Sequence, residues 1–173
     1  MAHSVELLFD ADSEAAIRAI WQGLADAGLP SQLQVKSPTN RPHVTLIAAR
    51  RIDPGVDAAL AALADRLPLD CVVGAPAVFT GPRMTLARRI VPSAGLLGLH
   101  SEVCRVSLPH LTGEPFSHCL PGHWTAHATL GRRFTAPEIA TALALADSSD
   151  LSARLVGLRR WDGDQRIDHL LVG

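Results

Sequence analysis

The motif His-x-Thr-Leu occurs twice in this chain, and this repetition constrains the fold more than any other feature of the sequence. The first copy lies in "RPHVTL", residues 41–46, and the second in "TAHATL", residues 125–130. Both copies alternate polar and apolar side chains, which is the period of a half-buried β-strand. Two similar strands, one in each half of a chain of 173 residues, indicate an internal duplication.

The hydrophobic periodicity of the first half predicts five elements. Asp12 is the expected N-cap of the first helix, which Gly28 and Pro30 end. Asp53-Pro54 is a typical start for the second helix, because proline suits the first helical turn. In order, the predicted elements are a strand over "SVELLFD", a helix over "ADSEAAIRAIWQGLADAGLP", a strand over "HVTLIAA", a helix from Asp53 and a strand over "LDCVVG".

The second half repeats this order. Ser93 is the expected N-cap of its first helix, and Thr135 with Glu138 forms a capping box for its second helix. The turn at Gly81-Pro82 joins two strands that open this half. The predicted strands are "AVFTG", "MTLARRIV", "WTAHATLG", "LSARLVGLRRW" and "RIDHLLVG". Each half therefore reads strand, helix, His-x-Thr strand, helix, strand.

These elements predict a single α+β domain over residues 1–173, with half-repeats of about 1–75 and 76–173. The many strands and short hairpin links favour largely antiparallel sheets with the helices outside. Hydrophobic residues make up 47% of the chain and charged residues 19%, which is typical of a globular protein with a buried core.

Charge and hydropathy narrow the classes of partner. The formal net charge is −1, whereas a protein that binds long nucleic acid through many phosphates usually carries a basic surface. We therefore expect any nucleic-acid substrate to be a short piece or an end. No apolar run approaches the ~20 residues of a membrane span, and "MAHSVELLFD" lacks the regions of a signal peptide. We expect a cytoplasmic protein that binds no membrane, with its three cysteines reduced.

Strand geometry places the polar residues of each motif on one face. Side chains alternate between faces, so His43 and Thr45 share one face of their strand, as His127 and Thr129 do on theirs. If a pseudo-twofold relates the halves, these faces meet across a cleft. Two imidazoles at one substrate suit general acid–base catalysis, and threonine hydroxyls donate hydrogen bonds to phosphoryl oxygens. Phosphodiester cleavage of this kind needs no metal ion or other cofactor.

The doubled motif in matched halves resembles the two-histidine (2H) phosphoesterases, specifically their 2′-5′ RNA ligase-like (LigT-like) family. The segments "RPHVTL" and "GHWTAHATLGRR" are similar to the two motif regions of that family. The resemblance implies a bilobal fold with the active site in a central cleft. It also implies an RNA 2′,3′-cyclic phosphodiesterase that gives a 2′-phosphate, with 2′-5′ RNA ligation as a related activity.

The resemblance further implies a role for each histidine. The first-motif histidine, His43, is the proton donor, and the second-motif histidine, His127, is the acceptor. Thr45 and Thr129 complete the catalytic set. Ala126 departs from the family, which often has proline before the second histidine. We expect this difference to alter how the chain approaches the strand, without loss of the chemistry.

Two residues near the second motif are predicted to bind substrate. Arg132 matches an arginine that often follows this motif in the family, although strict strand alternation would turn Arg133 toward the His127 face. A bulge at Gly131 would reverse this order. Trp124 is positioned to stack on an unpaired base, with packing in the core as the alternative.

Histidines near the second motif also raise the alternative of a zinc site. His118, His123 and His127 lie close together in sequence, with Cys119 among them. His123 and His127 would share a face only on a helix, and the segment is predicted as a strand. We therefore predict no metal ion.

Three functions remain open from the sequence. The leading one is a cyclic phosphodiesterase that acts on RNA ends. The second is a non-catalytic module that binds nucleotides or RNA ends in the same cleft. The third is the same reaction on a small nucleotide, such as ADP-ribose 1″,2″-cyclic phosphate. For each of them we expect a monomer.

Overall fold

The computed structural model describes residues 2–173, which contain nine strands and four α-helices. The strands are β1 (His3–Phe9), β2 (His43–Ala49), β3 (Arg51–Ile52), β4 (Leu69–Phe79), β5 (Met84–Ile90), β6 (Leu111–Thr112), β7 (His127–Phe134), β8 (Leu151–Asp162) and β9 (Ile167–Val172). The helices are α1 (Ala11–Asp26), α2 (Asp57–Ala61), α3 (Ala94–Ser107) and α4 (Ala136–Leu145). Every strand pair in this part of the chain is antiparallel, so the predicted α+β class is confirmed.

The N-cap of α1 is Asp10, so the prediction of Asp12 was wrong. The backbone N–H of Asp10 still donates to the carbonyl of Arg154 on β8 at 2.9 Å, which keeps this residue extended. Its side chain then accepts a hydrogen bond from the N–H of Ser13 at 3.0 Å. Asp12 lies inside the first turn, where a carboxylate interacts favourably with the helix dipole.

The caps predicted for the second half are confirmed. The hydroxyl of Ser93 accepts a hydrogen bond from the N–H of Leu96 at 3.1 Å at the start of α3. Thr135 and Glu138 form the expected capping box, with the carboxylate of Glu138 accepting from the N–H of Thr135 at 2.7 Å. These polar signals are local, so the sequence alone positions both helices.

The helix predicted after Asp53 forms only as three short segments. Asp53 accepts a hydrogen bond from the N–H of Gly55 at 2.8 Å and caps a 3₁₀ turn, Pro54–Val56, that leads into α2. A second 3₁₀ turn, Ala64–Arg66, follows α2. Pro68 disfavours helical backbone in the residue before it, which stops the helix from continuing.

The segments "LDCVVG" and "AVFTG" contribute to one continuous strand, β4, where two strands were predicted. Residues Leu69–Val73 pair with β8, while Val73 and the residues from Pro76 onward pair with β5. The β4–β5 ladder is irregular between these two parts, and a proline is tolerated where its missing N–H is not needed. The boundary near residues 75 and 76 thus falls inside β4, and the division into half-repeats at that point stays a prediction.

A buried arginine fills this irregular part of the ladder. Arg88 lies opposite Pro76 on β5 and is 1% exposed. Its guanidinium donates hydrogen bonds of 2.5 to 3.0 Å to four backbone carbonyls, those of Val73, Gly74, Ala146 and Ser149. The side chain therefore ties the centre of β4 to the segment that follows α4, and it satisfies carbonyls that the ladder leaves open.

The order of strands in the large sheet is symmetric about its centre. The path is β2-β1-β8-β4-β5-β7, with β9 beside β8. If β1 is exchanged with β5, β2 with β7 and β4 with β8, the same path results, read in the opposite direction. The two central strands, β4 and β8, are counterparts in this exchange, and they pair with each other through Leu69–Val73 and Leu151–Leu155. This topology confirms the predicted pseudo-twofold arrangement of two lobes.

The two motif strands, β2 and β7, end this path but lie next to each other in space. Cα atoms of β2 and β7 approach within 8 Å, so the sheet bends back on itself. The apolar residues of both motifs are 0% exposed and belong to one hydrophobic core, namely Val44, Leu46, Ala128 and Leu130. No helix within residues 2–173 has the length and apolar character needed to cross a membrane.

Candidate active site

Each motif strand begins at its histidine and alternates as predicted. In β2, His43 and Thr45 are partly exposed while the residues between and after them are buried. In β7, His127 and Thr129 show the same pattern. The two polar pairs therefore lie on the open faces of strands whose other faces form the core.

Both imidazoles are held through the same backbone contact. Nδ1 of His43 lies 2.8 Å from the carbonyl oxygen of Arg41, and Nδ1 of His127 lies 2.7 Å from that of Thr125. A carbonyl can only accept, so Nδ1 is the protonated nitrogen that donates in each case. Nε2 of each ring is thereby left for chemistry, as a lone pair in the neutral form and as an N–H in the charged form.

Two tryptophans tie each motif strand to the opposite half of the chain. The indole N–H of Trp21, on α1, donates to the carbonyl of Thr129 at 3.0 Å. The indole N–H of Trp124 donates to the carbonyl of Thr45 at 2.9 Å. These reciprocal bonds hold the backbones of both motif threonines across the lobes. Trp21 was not predicted to contact the site, because its helical spacing identifies it only as a core residue.

The threonine side chains remain free to act on a ligand. Thr45 and Thr129 are both partly exposed. Among residues 2–173, neither hydroxyl has a hydrogen-bond partner in the protein. Two hydroxyls and two Nε2 atoms thus belong to two neighbouring strands, and such a set of groups suits an anion with several oxygens.

The environment of His127 favours the neutral form of its imidazole. Burial lowers the pKa of His127 first, and the charges of His43, Arg132 and His118 lower it further. The hydrogen bond to the Thr125 carbonyl opposes this shift, but the net direction is downward. The ring also lies 4.6 Å from that of Phe79, centroid to centroid. A neutral imidazole at this position can accept a proton near neutral pH.

His43 has a carboxylate as its neighbour. Nε2 of His43 lies 3.7 Å from Oε1 of Glu6 on β1. Glu6 and Phe79 were both missed by the sequence analysis. Glu6 is the one carboxylate of β1, whose seven residues are all buried, and this burial is visible only in the structure. Nothing in the sequence connects Phe79, at the end of β4, with the second motif.

Arg132 lies on the same face of β7 as His127, which is one of the two arrangements that the sequence left open. Its position follows from the register with β5, where Arg89, Ala87 and Thr85 lie opposite His127, Thr129 and Arg132. Alternate residues of β5 point the same way, so their three partners do as well. The register shifts by one residue between Thr129 and Gly131, which is the bulge that reverses strict alternation. Arg133 has a φ of 71° and lies at a second irregularity.

Trp124 is packed on its inner side. Its ring stacks on that of buried His100, with centroids 3.9 Å apart and planes 4° from parallel. Its N–H is taken by the Thr45 carbonyl. These contacts give Trp124 a structural role at the first motif, and stacking on a substrate base stays a prediction for its remaining exposed surface.

Metal-ligating side chains come together elsewhere. Within residues 2–173, the group whose ligand atoms lie within 4.8 Å of one another is His3, Asp162 and Asp164. His3 lies at the end of β1 opposite to the end that pairs with His43. The alternative zinc group of His118, His123 and His127 is not brought to such spacing in this part of the chain.

Comparison with known proteins identifies the family. The model of the 2′-5′ RNA ligase superfamily matches residues 9–165. The chain belongs to the 2′-5′ RNA ligase superfamily. No curated protein sequence matches this chain.

Solved structures share the fold of this superfamily member over its full length. Usb1 of Kluyveromyces marxianus is 12% identical, with a TM-score of 0.57 and coverage of 99% of this chain and 98% of that one. TT0787 of Thermus thermophilus is 16% identical, with a TM-score of 0.56 and coverage of 99% and 95%. LigT of E. coli is 12% identical, with a TM-score of 0.52 and coverage of 99% and 94%. At these identities the likeness concerns the fold.

Ala126 stands where the superfamily resemblance led us to expect proline. Its carbonyl accepts a hydrogen bond from the N–H of Ile90 at 2.9 Å, which attaches the chain to β5 just before the motif. A proline carbonyl could make the same bond, because this contact does not use the N–H of residue 126. The substitution is therefore compatible with the observed start of β7.

Replacement of His43 by alanine should raise the pKa of His127. The positive charge of His43 reaches the His127 ring and disfavours a second positive charge there. Proton NMR titration of the ring signals measures this directly. His169→Ala, on β9, serves as the control and should leave the His127 titration in place. An unchanged His127 titration in the His43→Ala protein would contradict a shared site.

Proposed function

We propose that this protein is a metal-independent RNA 2′,3′-cyclic phosphodiesterase that produces a 2′-phosphate. The observation that carries this proposal is the pair of imidazoles on β2 and β7. Each donates through Nδ1 to a backbone carbonyl and keeps Nε2 for the substrate. Membership in the 2′-5′ RNA ligase superfamily supports phosphoester chemistry at this pair.

The proposed reaction uses one neutral and one charged histidine. Nε2 of His127 removes a proton from water, and the water oxygen forms a bond to phosphorus. The bond between phosphorus and the ribose O3′ breaks as Nε2–H of His43 protonates that oxygen. The products are a 2′-phosphomonoester and a 3′-hydroxyl. The lowered pKa of His127 supports its assignment as the base.

The remaining cleft residues serve the phosphate in this proposal. Thr45 and Thr129 donate hydrogen bonds to its non-bridging oxygens and stabilise the charge that develops on them. Arg132, on the same face as His127, adds positive charge beside them. Trp124 offers its remaining exposed surface for stacking on a substrate base. The bound nucleotides named for two structural neighbours, uridine monophosphate in Usb1 and 3′-AMP in LigT, support a nucleotide ligand here.

Ligation is a second candidate function for the same site, and the superfamily match favours it. A 5′-hydroxyl in the place of water would attack the cyclic phosphate with the same base and the same acid. The bond to O3′ would break as before, and a 2′-5′ phosphodiester would form without any further reactant. Hydrolysis and ligation then compete for one bound phosphate. The monomeric state and the cytoplasmic location stay predictions.

The assay that tests the proposal uses 2′,3′-cyclic nucleotides and RNA with a cyclic-phosphate end, in EDTA, with the products identified by phosphorus NMR. We expect a 2′-phosphate, a bell-shaped pH profile, and losses on the order of 10²-fold or more for His43→Ala and for His127→Ala. His169→Ala is the control and should retain activity.

Other outcomes of this assay select the alternatives. Turnover of small cyclic nucleotides without RNA ends would favour a small-nucleotide enzyme. Tight binding of every cyclic phosphate without hydrolysis would favour a binding module and would contradict the proposed catalysis.

Arg132→Met should raise the KM for cyclic-phosphate RNA, on the order of tenfold for one lost charged contact. Arg133→Met is the matched control, because the bulge gives the two neighbouring arginines different orientations. Steady-state kinetics of both variants compare them directly. An equal rise in KM for both variants, or a larger rise for Arg133→Met, would contradict a substrate contact made by Arg132 alone.

A further inference from the structure

The two motifs have equivalent backbones but different neighbours. On β1, Glu6 lies opposite Thr45 and Leu8 lies opposite His43. On β5, Ala87 lies opposite Thr129. The position that carries a carboxylate beside the first motif therefore carries a methyl group beside the second. This difference breaks the pseudo-twofold at the point where two identical histidines need different roles.

Glu6 is a buried residue that remains ionised. Its side chain accepts a hydrogen bond from the hydroxyl of Ser4 at 2.6 Å and pairs with the guanidinium of Arg159 at 2.8 Å. Arg159 also donates to the carboxylate of Asp168 at 2.9 Å. Burial alone raises the pKa of Glu6, but the charges of His43 and Arg159 and the hydrogen bonds from Ser4 and Arg159 outweigh it. The net pKa is lower than usual.

The Glu6 carboxylate lies near the His43 ring but is not hydrogen-bonded to it. The separation of 3.7 Å between Oε1 of Glu6 and Nε2 of His43 is too long for a hydrogen bond. An opposite charge at this distance still favours the protonated imidazole. Nε2 of His43 therefore stays available to a leaving oxygen, with the Glu6 carboxylate beside it.

We propose that Glu6 is a positioning residue that holds His43 as the imidazolium, and that its absence from the second lobe leaves His127 as the base. The proposal rests on the proposed function for its catalytic consequence. His43 thus supplies the acid because β1 carries Glu6, and His127 supplies the base because β5 carries no carboxylate at the equivalent position.

The other charged groups around His43 fit this assignment. His127 faces His43 from β7 and is favoured in its neutral form. Arg159 on β8 is paired with both Glu6 and Asp168, so its charge is compensated. Arg41, two residues before His43, pairs with Glu14 of α1 at 2.6 Å. Within residues 2–173, the carboxylate that pairs with the His43 ring is therefore that of Glu6.

Glu6→Gln tests the proposal through two pH measurements. The alkaline limb of the activity profile should move to lower pH, because that limb requires protonated His43. The His43 ring signals in NMR should lose their proton at correspondingly lower pH. Glu102→Gln, which removes a carboxylate paired with Arg105 on α3, is the control and should move neither.

Two further variants keep the test valid if Glu6→Gln fails to fold. Glu6→Asp retains the charge and should keep the alkaline limb close to its original position. Glu6→Gln combined with Arg159→Gln removes both members of the buried pair, which avoids an uncompensated arginine. The limb should again move to lower pH, by less than in the single variant.

The NMR titration separates this proposal from the proposed function. It reports the protonation of His43 in a folded protein whether or not a substrate is turned over. An unchanged His43 titration in folded Glu6→Gln would overturn the role of Glu6 even in an active enzyme. A shifted titration in a protein that hydrolyses no cyclic phosphate would support Glu6 and contradict the proposed function.

Discussion

The antiparallel pairing of β4 with β8 is the interaction on which the rest of this structure depends. These strands occupy the centre of the sheet path, and their pairing joins the two lobes into one sheet. With β4 and β8 at the centre, the motif strands β2 and β7 lie at the two outer ends. The bend of the sheet then brings β2 and β7 together, and reciprocal indole bonds from Trp21 and Trp124 fasten them.

A symmetric scaffold of this kind supplies two copies of one group, but acid–base catalysis needs two different protonation states. The backbone contact at Nδ1 is the same in both motifs and makes both Nε2 atoms available. The difference between the rings comes from the adjacent strands, which present Glu6 in one lobe and Ala87 with Phe79 in the other. Duplication therefore explains the geometry of the site, and divergence of single residues around it explains how the roles can differ.

Much of this arrangement could be predicted from the sequence, because its signals are local. The strand "HVTLIAA" forms over the predicted residues, and the capping box at Thr135 begins α4. The N-cap of α1 was assigned to the wrong residue, Asp12 instead of Asp10. Asp10 and Asp12 are chemically equal candidates, and the choice between them depends on a bond from Asp10 to Arg154, far away in the sequence.

The parts that sequence reasoning missed depend on contacts between distant segments. Glu6 is held by Arg159, and the two are separated by most of the chain. β4 was predicted as two strands, but the irregular ladder and the hydrogen bonds from Arg88 accommodate Pro76 within one strand. The face on which Arg132 lies could not be predicted from the sequence, because a bulge of one residue reverses strand alternation. The bulge is visible only in the pairing of β7 with β5.

The central claim, that His43 protonates the leaving oxygen while His127 activates water, is tested most directly by changing the leaving atom. In a 2′,3′-cyclic phosphate whose bridging O3′ is replaced by sulfur, the leaving thiolate needs no proton. Hydrolysis of this substrate should be restored in the His43→Ala protein and should remain lost in the His127→Ala protein. Restoration in His127→Ala, or equal defects in both variants, would contradict the account.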